Sequence, residues 1–346
     1  MNARPMHAQR GSVSLMVAFL LPIFLGLAAF AIDIVYLQVA RNELQNDADA
    51  AALAGAGYFF DGTNATPRWT LAEQKAHDAI GFNAATGKTL QSGTVASGYW
   101  NLVDTPKVLQ ALPMVPKAYD APAVKVTVVK DANHNDGEVD TLFARYWWGI
   151  LSHPVQASAV AGLSSPNTIT SGYVFPFVLS ECLYDTYWNF TSTPAGPKLD
   201  AQGKPVQITL KSINASDICL TGAWTSFEQS PPNGDKIIKD MISSPTPVNL
   251  DIGQSIWVEP GTSAKLFGLT ADCIADKTCE YVTIPLVKIL TPQSLQKISA
   301  FACLHMVSAD QGEKEISVEL STKCKAPTGS GVGPNYGVVS PPRLFQ

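Results

Sequence analysis

A run of twenty uncharged residues near the start of the chain, 13–32 (VSLMVAFLLPIFLGLAAFAI), constrains the fold more than any other feature. About 20 apolar residues in a helix cross a bilayer core of about 30 Å. Pro22 and Gly26 interrupt the run, but membrane helices tolerate both residue types because neighbouring groups can satisfy the freed backbone. The run therefore predicts a transmembrane helix over residues 13–36, after a cytoplasmic segment over residues 1–12.

A cleaved signal peptide is the alternative interpretation of this run. Arg4 and Arg10 form a basic segment before it, and the sequence AFA at 29–31 has the small-x-small form of a cleavage site. The apolar region of a signal peptide usually has about 7 to 15 residues. Here the helical pattern continues through the possible cleavage site to Leu44. This greater length favours an uncleaved anchor.

The distribution of charge predicts where the rest of the chain lies. Arg4 and Arg10 precede the span, and Arg41 is the basic residue that follows it closely. The positive-inside rule therefore places the N-terminus in the cytoplasm and the bulk of the chain outside it. A net charge of −5 with scattered basic residues gives no electrostatic footprint for nucleic acid. The low charged fraction of 15%, with 25 Gly and 24 Pro, is typical of a turn-rich β protein.

The segment that follows the run, 41–56 (RNELQNDADAAALAGA), is rich in alanine. Apolar and small residues recur here at intervals of three and four, which is one face of a helix. They are Leu37, Ala40, Leu44, Ala48, Ala51 and Gly55. We predict that the helix continues out of the membrane and ends near Gly55 and Gly57. Because small residues let two backbones approach closely, this face is expected to pack against a partner helix or against the chain's own strands.

Six residues are the predicted membrane or partner-helix contacts: Pro22, Gly26, Asp33, Ala48, Ala51 and Gly55. Asp33 stands at the outer end of the span. Its carboxylate can reach headgroups or water there, or can pair with a polar group of a partner helix. The sequence contains no H-E-x-x-H or G-x-S-x-G motif, and it predicts no catalytic residue, metal site or cofactor.

Downstream of the first helix, the sequence predicts a second helix over 70–84, with Thr70 as the N-cap and Glu73 completing a capping box. Alternating apolar residues predict strands at 94–103, 121–130, 138–148, 153–163, 206–213, 255–261, 281–290, 298–309 and 314–320. The polar segment 131–140 (DANHNDGEVD) offers oxygen ligands for Ca²⁺, but an EF-hand loop needs Gly where Asp136 stands. A hairpin turn is therefore the predicted structure of this segment.

The cysteines follow one another late in the chain, at Cys182, Cys219, Cys273, Cys279, Cys303 and Cys324. An even number in an exported chain predicts a disulfide framework, for which six cysteines allow 15 connectivities. Nearest neighbours close the smallest loops, so we favour pairing them in chain order. The C-x₂₋₄-C spacing of paired zinc ligands is absent.

These patterns predict an α+β protein in which one transmembrane helix continues into an alanine-rich extracytoplasmic helix and precedes a β-rich, disulfide-containing region. The polar stretch 164–172 marks the predicted domain boundary. A helical and β region over 37–165 would precede it, and a cysteine-containing β-rich region over 170–325 would follow. Residues 326–346 are expected to form an extended or partly disordered tail.

Residues 10–56 resemble the N-terminal segment of Tad (tight adherence) pilus-assembly proteins of the TadG-like group. The shared features are Arg-Gly before the span, Leu-Pro inside it, an Asp at its outer end, and then Arg, Leu-Gln and an alanine-rich run with two Asp. These correspond to Arg10, Gly11, Leu21, Pro22, Asp33, Arg41, Leu44, Gln45, Asp47 and Asp49. Residues 143–163 are similar with lower specificity.

The resemblance implies a non-enzymatic protein of the bacterial envelope, in the inner membrane, that takes part in Flp pilus assembly or secretion. Its expected partners are other pilus-assembly or secretion proteins, or a second copy of the chain. Two other functions stay open. A concave strip of tryptophans would favour a module that binds a cell-wall component or another extracytoplasmic ligand. A deep pocket with clustered Asp, Glu, Ser and His would favour a secreted hydrolase.

Overall fold

The structure is a computed structural model of the chain. It describes residues 12–60, 67–103, 107–117, 119–170, 174–189, 196–212, 218–232, 234–244, 249–259, 263–324 and 331–345. The chain divides into two compact units. Unit 1 comprises residues 1–51, 77–94 and 126–159, and unit 2 comprises residues 52–76, 95–125 and 160–346.

Helices and strands alternate irregularly along the described residues. The helices are α1 Ser12–Ala56, α2 Trp69–Ile80, α3 Ala144–Trp147, α4 Glu181–Tyr187, α5 Lys236–Ser243 and α6 Ala264–Ala275, with a 3₁₀ turn at Ile218–Leu220. The strands are β1 Ala84–Ala85, β2 Lys88–Thr89, β3 Thr94–Asn101, β4 Leu109–Gln110, β5 Asp120–Lys130, β6 Val139–Asp140, β7 Ser152–His153, β8 Val155–Gly162, β9 Thr168–Ile169, β10 Phe177–Ser180, β11 Trp188–Asn189, β12 Gly196–Pro197, β13 Gln207–Ser212, β14 Thr221–Thr225, β15 Leu250–Asp251, β16 Ser255–Glu259, β17 Tyr281–Val287, β18 Ser294–Asp310, β19 Glu315–Leu320 and β20 Arg343–Leu344.

Helix α1 is continuous for 45 residues, which confirms that the apolar run and the alanine-rich segment form one helix. Its first part, residues 13–25, is exposed on every face. From Gly26 onward one face is buried, while the other faces stay exposed. The described residues contain one helix long and apolar enough to cross a membrane, and it is α1. The helix ends at Ala56, where the amide of Gly57 donates to the carbonyl of Leu53.

Six strands of unit 2 form a closed ring, because each pairs with two neighbours. The order around the ring is β10, β17, β18, β19, β13, β14 and back to β10. Strand β16 bridges β14 and β18. The pairs β10–β17 and β13–β14 are parallel, and the other four pairs are antiparallel. Because the ring is closed into a barrel, none of its six strands is an edge strand.

One face of every strand of the ring belongs to a single apolar core cluster. Each strand contributes alternate residues, as the period of two in a β-strand requires. Among them are Leu179, Leu210, Trp224, Ile284, Leu304 and Val318. Helices α4 and α6 add Tyr184 and Phe267 to the same cluster. The predicted β-rich character of the cysteine-containing region is therefore confirmed, and the mixed α+β class with it.

Three disulfides join residues of this region. Cys182 pairs with Cys219, Cys273 with Cys279, and Cys303 with Cys324. These are the pairs that the preference for nearest neighbours favours. They close loops with sequence separations of 37, 6 and 21 residues, respectively.

A five-stranded sheet ordered β20-β8-β5-β3-β4 has residues of every strand in unit 2. Strand β5 has the predicted alternation, since Val124, Val126 and Val128 are fully buried. The C-terminal segment reaches this sheet, because Arg343 pairs with Gly162 on β8. The described part of the tail, residues 331–345, is extended and packs on the rest of unit 2. Val338, for example, is fully buried.

Two sequence predictions about helices are wrong. Thr70 is not an N-cap, because α2 begins one residue earlier, at Trp69. Glu73 does not complete a capping box either. Its carboxylate accepts hydrogen bonds from the amide and hydroxyl of Ser97, at 2.9 and 2.7 Å. Helices α4, α5 and α6, which lie between the strands of the β-rich region, were not predicted from the sequence patterns.

Candidate functional site: the outer part of helix α1

The buried face of α1 begins with Gly26 and follows the helical period. Residues on it within unit 1 are Gly26, Ala29, Asp33, Ala40, Leu44, Asp47, Ala48 and Ala51. The spacing of three and four residues keeps them on one side of the helix. The alanine-rich segment is therefore packed within the chain itself. Of the two packing partners left open by the sequence, the chain's own residues cover this face.

Asp33 caps the start of the short helix α3. Its Oδ1 accepts hydrogen bonds from the amides of Leu142 and Phe143, at 2.7 and 3.1 Å. Its Oδ2 accepts from the amides of Phe143 and Ala144, at 3.1 and 2.5 Å. The carboxylate is buried, with 3% of the residue exposed. A carboxylate that accepts several backbone N–H groups is well satisfied without headgroups or a partner helix.

These hydrogen bonds correct the prediction of a strand over residues 138–148. Only Val139–Asp140 is a strand there, and Ala144–Trp147 is helical. The aromatic residues of the segment favour a strand by propensity. The carboxylate of Asp33, which lies 109 residues before Leu142, instead satisfies the amides that a helix start leaves free.

Trp147, the last residue of α3, and Trp148, which follows it, lie against α1 in unit 1. A Cβ placed on Gly26 would lie 3.6 Å from Cε3 of Trp147, in ordinary van der Waals contact, so the indole ring lies close against this turn of α1. Phe30 and Trp148 form an edge-to-face pair with ring centroids 5.6 Å apart. Such aromatic pairs contribute about 0.5–1.5 kcal/mol beyond their buried area. Gly26, Phe30 and Asp33 thus hold one segment of the chain along the helix.

Polar residues attach the extension of α1 to unit 1. Glu43 accepts a hydrogen bond from the amide of Thr86 at 2.6 Å. The side-chain amide of Gln45 donates to Asp49 at 2.8 Å and to the carbonyl of Ser158 at 3.1 Å. These bonds fix the rotation of α1 about its own axis. Apolar packing alone would define this rotation less well.

Asp47 is a buried carboxylate on the same extension. Its Oδ1 accepts a hydrogen bond from Asn83 at 2.7 Å, whereas its Oδ2 is buried without a hydrogen-bond partner. Burial raises the pKa of Asp47 to about 6, and the hydrogen bond from Asn83 offsets part of that rise. Since a buried charge without full compensation is costly, ionised Asp47 destabilises the fold.

Gly55 lies in unit 2 and marks a close approach between α1 and α2. A Cβ at this position would be 2.7 Å from the carbonyl oxygen of Ala72 and 2.8 Å from the Cβ of Ala76. Both distances are shorter than real contacts allow. Gly55 is therefore required by the packing of the two helices within the chain.

The six predicted contact residues thus have different surroundings. Pro22 lies in residues 13–25, the fully exposed first part of α1, which is called its bare part below. Gly26, Asp33, Ala48, Ala51 and Gly55 are buried by the chain itself. Their role as membrane or partner contacts stays a prediction. The sequence did not identify the segment 142–148 as part of this site. Its unusual density of aromatic residues was the signal that could have done so.

The described residues offer little that resembles a catalytic or metal site. They contain no group of three or more His, Cys, Asp or Glu side chains that could hold a metal ion. One open cavity of about 200 Å³ in unit 1 contains Asp131 and His134 in its wall, with Oδ1 and Nδ1 2.7 Å apart. Asp131 also accepts from the amide of Asn133, and these hydrogen bonds lower its pKa. The pair bridges the turn that directly follows β5. A turn is present, but the predicted hairpin is wrong, because the next strand, β6, pairs with β7 and not with β5.

Fold and site together define an α+β protein in which a long apolar helix leads directly into the folded part of the chain. Residues 11–57 match the family Tad, described as "Putative Flp pilus-assembly TadE/G-like". Residues 40–161 match the family Tad_C, described as "Putative Tad-like Flp pilus-assembly". No curated protein and no solved structure gave a match.

The matches over residues 11–161 confirm the resemblance to Flp pilus-assembly proteins that the N-terminal segment indicates. The two matched regions overlap over residues 40–57, the alanine-rich extension of α1. Neither match reaches the disulfide-containing barrel.

Proposed function

We propose that this chain is a membrane-anchored, non-enzymatic component of a Flp/Tad-type pilus assembly or secretion apparatus. One observation carries the proposal. Helix α1, Ser12–Ala56, lies within the match to the pilus-assembly family over residues 11–57. Its first part is exposed and apolar, and its second part is built into the fold. Anchor and folded region therefore share one rigid element, which suits a protein that holds an extracytoplasmic region at a membrane.

The proposed location is the bacterial inner membrane, crossed once, with the N-terminus in the cytoplasm. Arg4 and Arg10 before the span support this orientation. The three disulfides support it independently, because such bonds persist in oxidising compartments outside the cytoplasm. In this arrangement the cysteine-containing region, residues 170–325, and the region over 37–165 both lie outside the cytoplasm.

The proposed partners are other pilus-assembly or secretion proteins, or a second copy of the chain. Of the six residues predicted from sequence to make such contacts, Pro22 is the one left exposed. The bare part of α1, residues 13–25, is therefore the surface we assign to partner helices. Association within membranes relies on close packing and interhelical hydrogen bonds.

The two other functions find less support. A binding module would need exposed tryptophans in the cysteine-containing region, but Trp188 and Trp224 are fully buried there. A hydrolase would need a deep pocket with acid and base side chains. The Asp131–His134 pair lies in an open cavity on a turn and has the hydrogen bonds of a turn residue.

The test is to crosslink the protein in native membranes and to identify the co-purifying proteins by mass spectrometry. We expect pilus-assembly components in the wild-type sample and a reduced yield of them with Pro22→Leu. The control is Phe82→Leu, which changes an exposed apolar residue outside residues 13–25. Recovery of the membrane-bound chain without any pilus-assembly protein would contradict the proposal.

A further inference from the structure

We propose that the segment 141–151, named here the aromatic loop, inserts into the outer leaflet of the membrane that α1 crosses. The loop would be a second, shallow contact of the same chain with lipid. This inference rests on the proposed role of α1 as a membrane anchor, and it adds a surface and a ligand class that the anchor alone does not provide.

The length of the bare part of α1 is the first argument. Residues 13–25 are exposed on every face and span about 20 Å at 1.5 Å per residue. A bilayer core is about 30 Å thick. About 10 Å of the span must therefore come from the next turns of the helix, residues 26–32. Gly26 and Phe30 in these turns contact Trp147 and Trp148, so the two tryptophans lie at the depth of the outer leaflet.

The composition of the aromatic loop is the second argument. Large apolar side chains along the loop stay exposed in the folded chain: Leu142, Phe143, Tyr146, Trp147, Trp148, Ile150 and Leu151. Tyr146 is 80% exposed. This patch continues the apolar surface of α1 without a break at Phe30. Trp and Tyr are the residues enriched where proteins meet the membrane–water interface, and a lipid surface is therefore the partner that this chemistry fits.

The polar groups of the loop are arranged as insertion requires. An unsatisfied backbone amide in a bilayer costs several kcal/mol. The amides of residues 142–144 all donate to Asp33. At the base of the loop, the amide of Thr141 donates to the carbonyl of Leu151 at 3.0 Å. Strand β6, which carries the exposed carboxylate of Asp140, directly precedes the loop, and its partner β7 directly follows it.

Arg145, the charged residue within the loop, is compatible with insertion of the loop into the outer leaflet. Its guanidinium lies 3.6 Å from the carboxylate of Asp140, at the base. A long cationic side chain can keep its charge at the level of the headgroups while its stem lies among apolar groups. The apolar tip and the charged base therefore face the hydrocarbon and the headgroups, respectively.

The experiment uses the full chain in vesicles of phosphatidylcholine with brominated or ordinary acyl chains, because bromine quenches tryptophan at short range. The variant Trp147→Phe with Trp148→Phe keeps aromatic rings in the loop. Trp257→Phe is the control, since Trp257 is a partly buried tryptophan of the barrel. We expect wild type and Trp257→Phe to lose fluorescence in brominated vesicles and the double variant to lose almost none.

Equal quenching of wild type and the double variant would overturn the inference. Resistance of the chain to alkaline carbonate extraction is measured on the same vesicles. A chain that resists extraction but shows no loop-dependent quenching retains the anchor and refutes the loop. A chain released by carbonate refutes the anchor proposal itself, and the loop inference with it.

A second measurement does not depend on folding of the double variant. The photoreactive residue p-benzoylphenylalanine replaces Tyr146, which is exposed and whose replacement leaves the packed residues in place. Irradiation of native membranes is expected to give lipid adducts at this position. Adducts with protein and none with lipid would overturn the inference, because the loop would then be a docking surface for a partner chain.

Discussion

Residues 11–161, which match the two pilus-assembly families, contain no cysteine, whereas all six cysteines of the chain lie beyond them and form three disulfides. The first region uses close approach of small residues, as at Gly55, and buried carboxylates on α1. The second uses a closed barrel and covalent links. The region over residues 11–161 is therefore held by contacts that are sensitive to side-chain size and pH. The barrel region is held by contacts sensitive to reduction.

The largest effect is expected from removing the longest disulfide loop. In the chain-entropy description, a link that closes 37 residues stabilises by about 4 kcal/mol and one that closes 6 residues by about 2 kcal/mol. Cys182→Ala with Cys219→Ala should therefore lower the thermal midpoint more than Cys273→Ala with Cys279→Ala. Thermal unfolding of the full chain in detergent measures this. Equal losses would show that loop length does not govern the barrel's stability.

The next effect is expected at the close approach of α1 and α2. Gly55→Ala forces a Cβ to within 3 Å of Ala72 and Ala76, and overpacking of this kind costs roughly 1–3 kcal/mol. Gly57→Ala is the matched control, because its Cβ would lie 3.5 Å from the nearest carbonyl oxygen, an ordinary contact. Thermal midpoints of the two variants are compared. A Gly55→Ala variant as stable as the control would refute the size-sensitive packing.

Because Gly55 is packed within the chain, a substitution there is a poor test of contacts with partner proteins. A leucine at this position would disturb the chain's own α1–α2 contact before it could block a partner helix. Loss of partners in Gly55→Leu would therefore carry no information about a partner surface. Pro22, which is exposed, is the better position for that test.

A smaller effect, dependent on pH, is expected at Asp47. Because burial raises the pKa of this carboxyl from its ordinary value to about 6, the folded chain holds a proton there that the unfolded chain releases. The contribution of the protonated group is fully present below about pH 4 and is lost as the pH rises through about 6. Asp47→Asn should remove this slope and stabilise the chain at neutral pH by about 2 kcal/mol.

The measurement is the thermal midpoint of wild type and Asp47→Asn between acid and neutral pH. Asp49→Asn is the control, since the carboxylate of Asp49 is partly exposed and accepts a hydrogen bond from Gln45. Parallel curves for wild type and Asp47→Asn would contradict the prediction that Asp47 titrates in the folded chain.

The smallest effect is local and concerns Asp33. Asp33→Asn replaces a charged acceptor by an amide with one oxygen, so the hydrogen bonds to residues 142–144 weaken by roughly 1–2 kcal/mol. Amide hydrogen exchange of these residues should accelerate while exchange in β18 stays unchanged. Unchanged exchange at 142–144 would mean that the cap does not order the aromatic loop.

Local patterns determined what could be predicted from the sequence. The apolar run of α1 and the alternation of Val124, Val126 and Val128 in β5 are signals within one element, and both were read correctly. Helix α6 was missed although Leu266, Phe267, Thr270 and Cys273 are buried at helical spacing. The strands on either side of this helix, β16 and β17, have the stronger local patterns.

The candidate site was less predictable, because its contacts join distant parts of the chain. Asp33 was identified, but its partners lie more than a hundred residues later, in a segment whose aromatic residues favour a strand. Gly55 was identified as a close-packing residue, yet only the three-dimensional structure places Ala72 and Ala76 against it. Sequence periodicity identifies the buried face of a helix but does not identify the residues that cover it.

In the proposed arrangement α1 is retained as an anchor and is not removed as a signal peptide. Mass spectrometry of the protein from fractionated cells tests it directly, by reading its N-terminal peptides in the membrane and soluble extracytoplasmic fractions. If α1 is retained, peptides that include residues before Ala29 are recovered in the membrane fraction. A mature chain that begins near Ile32 and is found alone in the soluble fraction would contradict it.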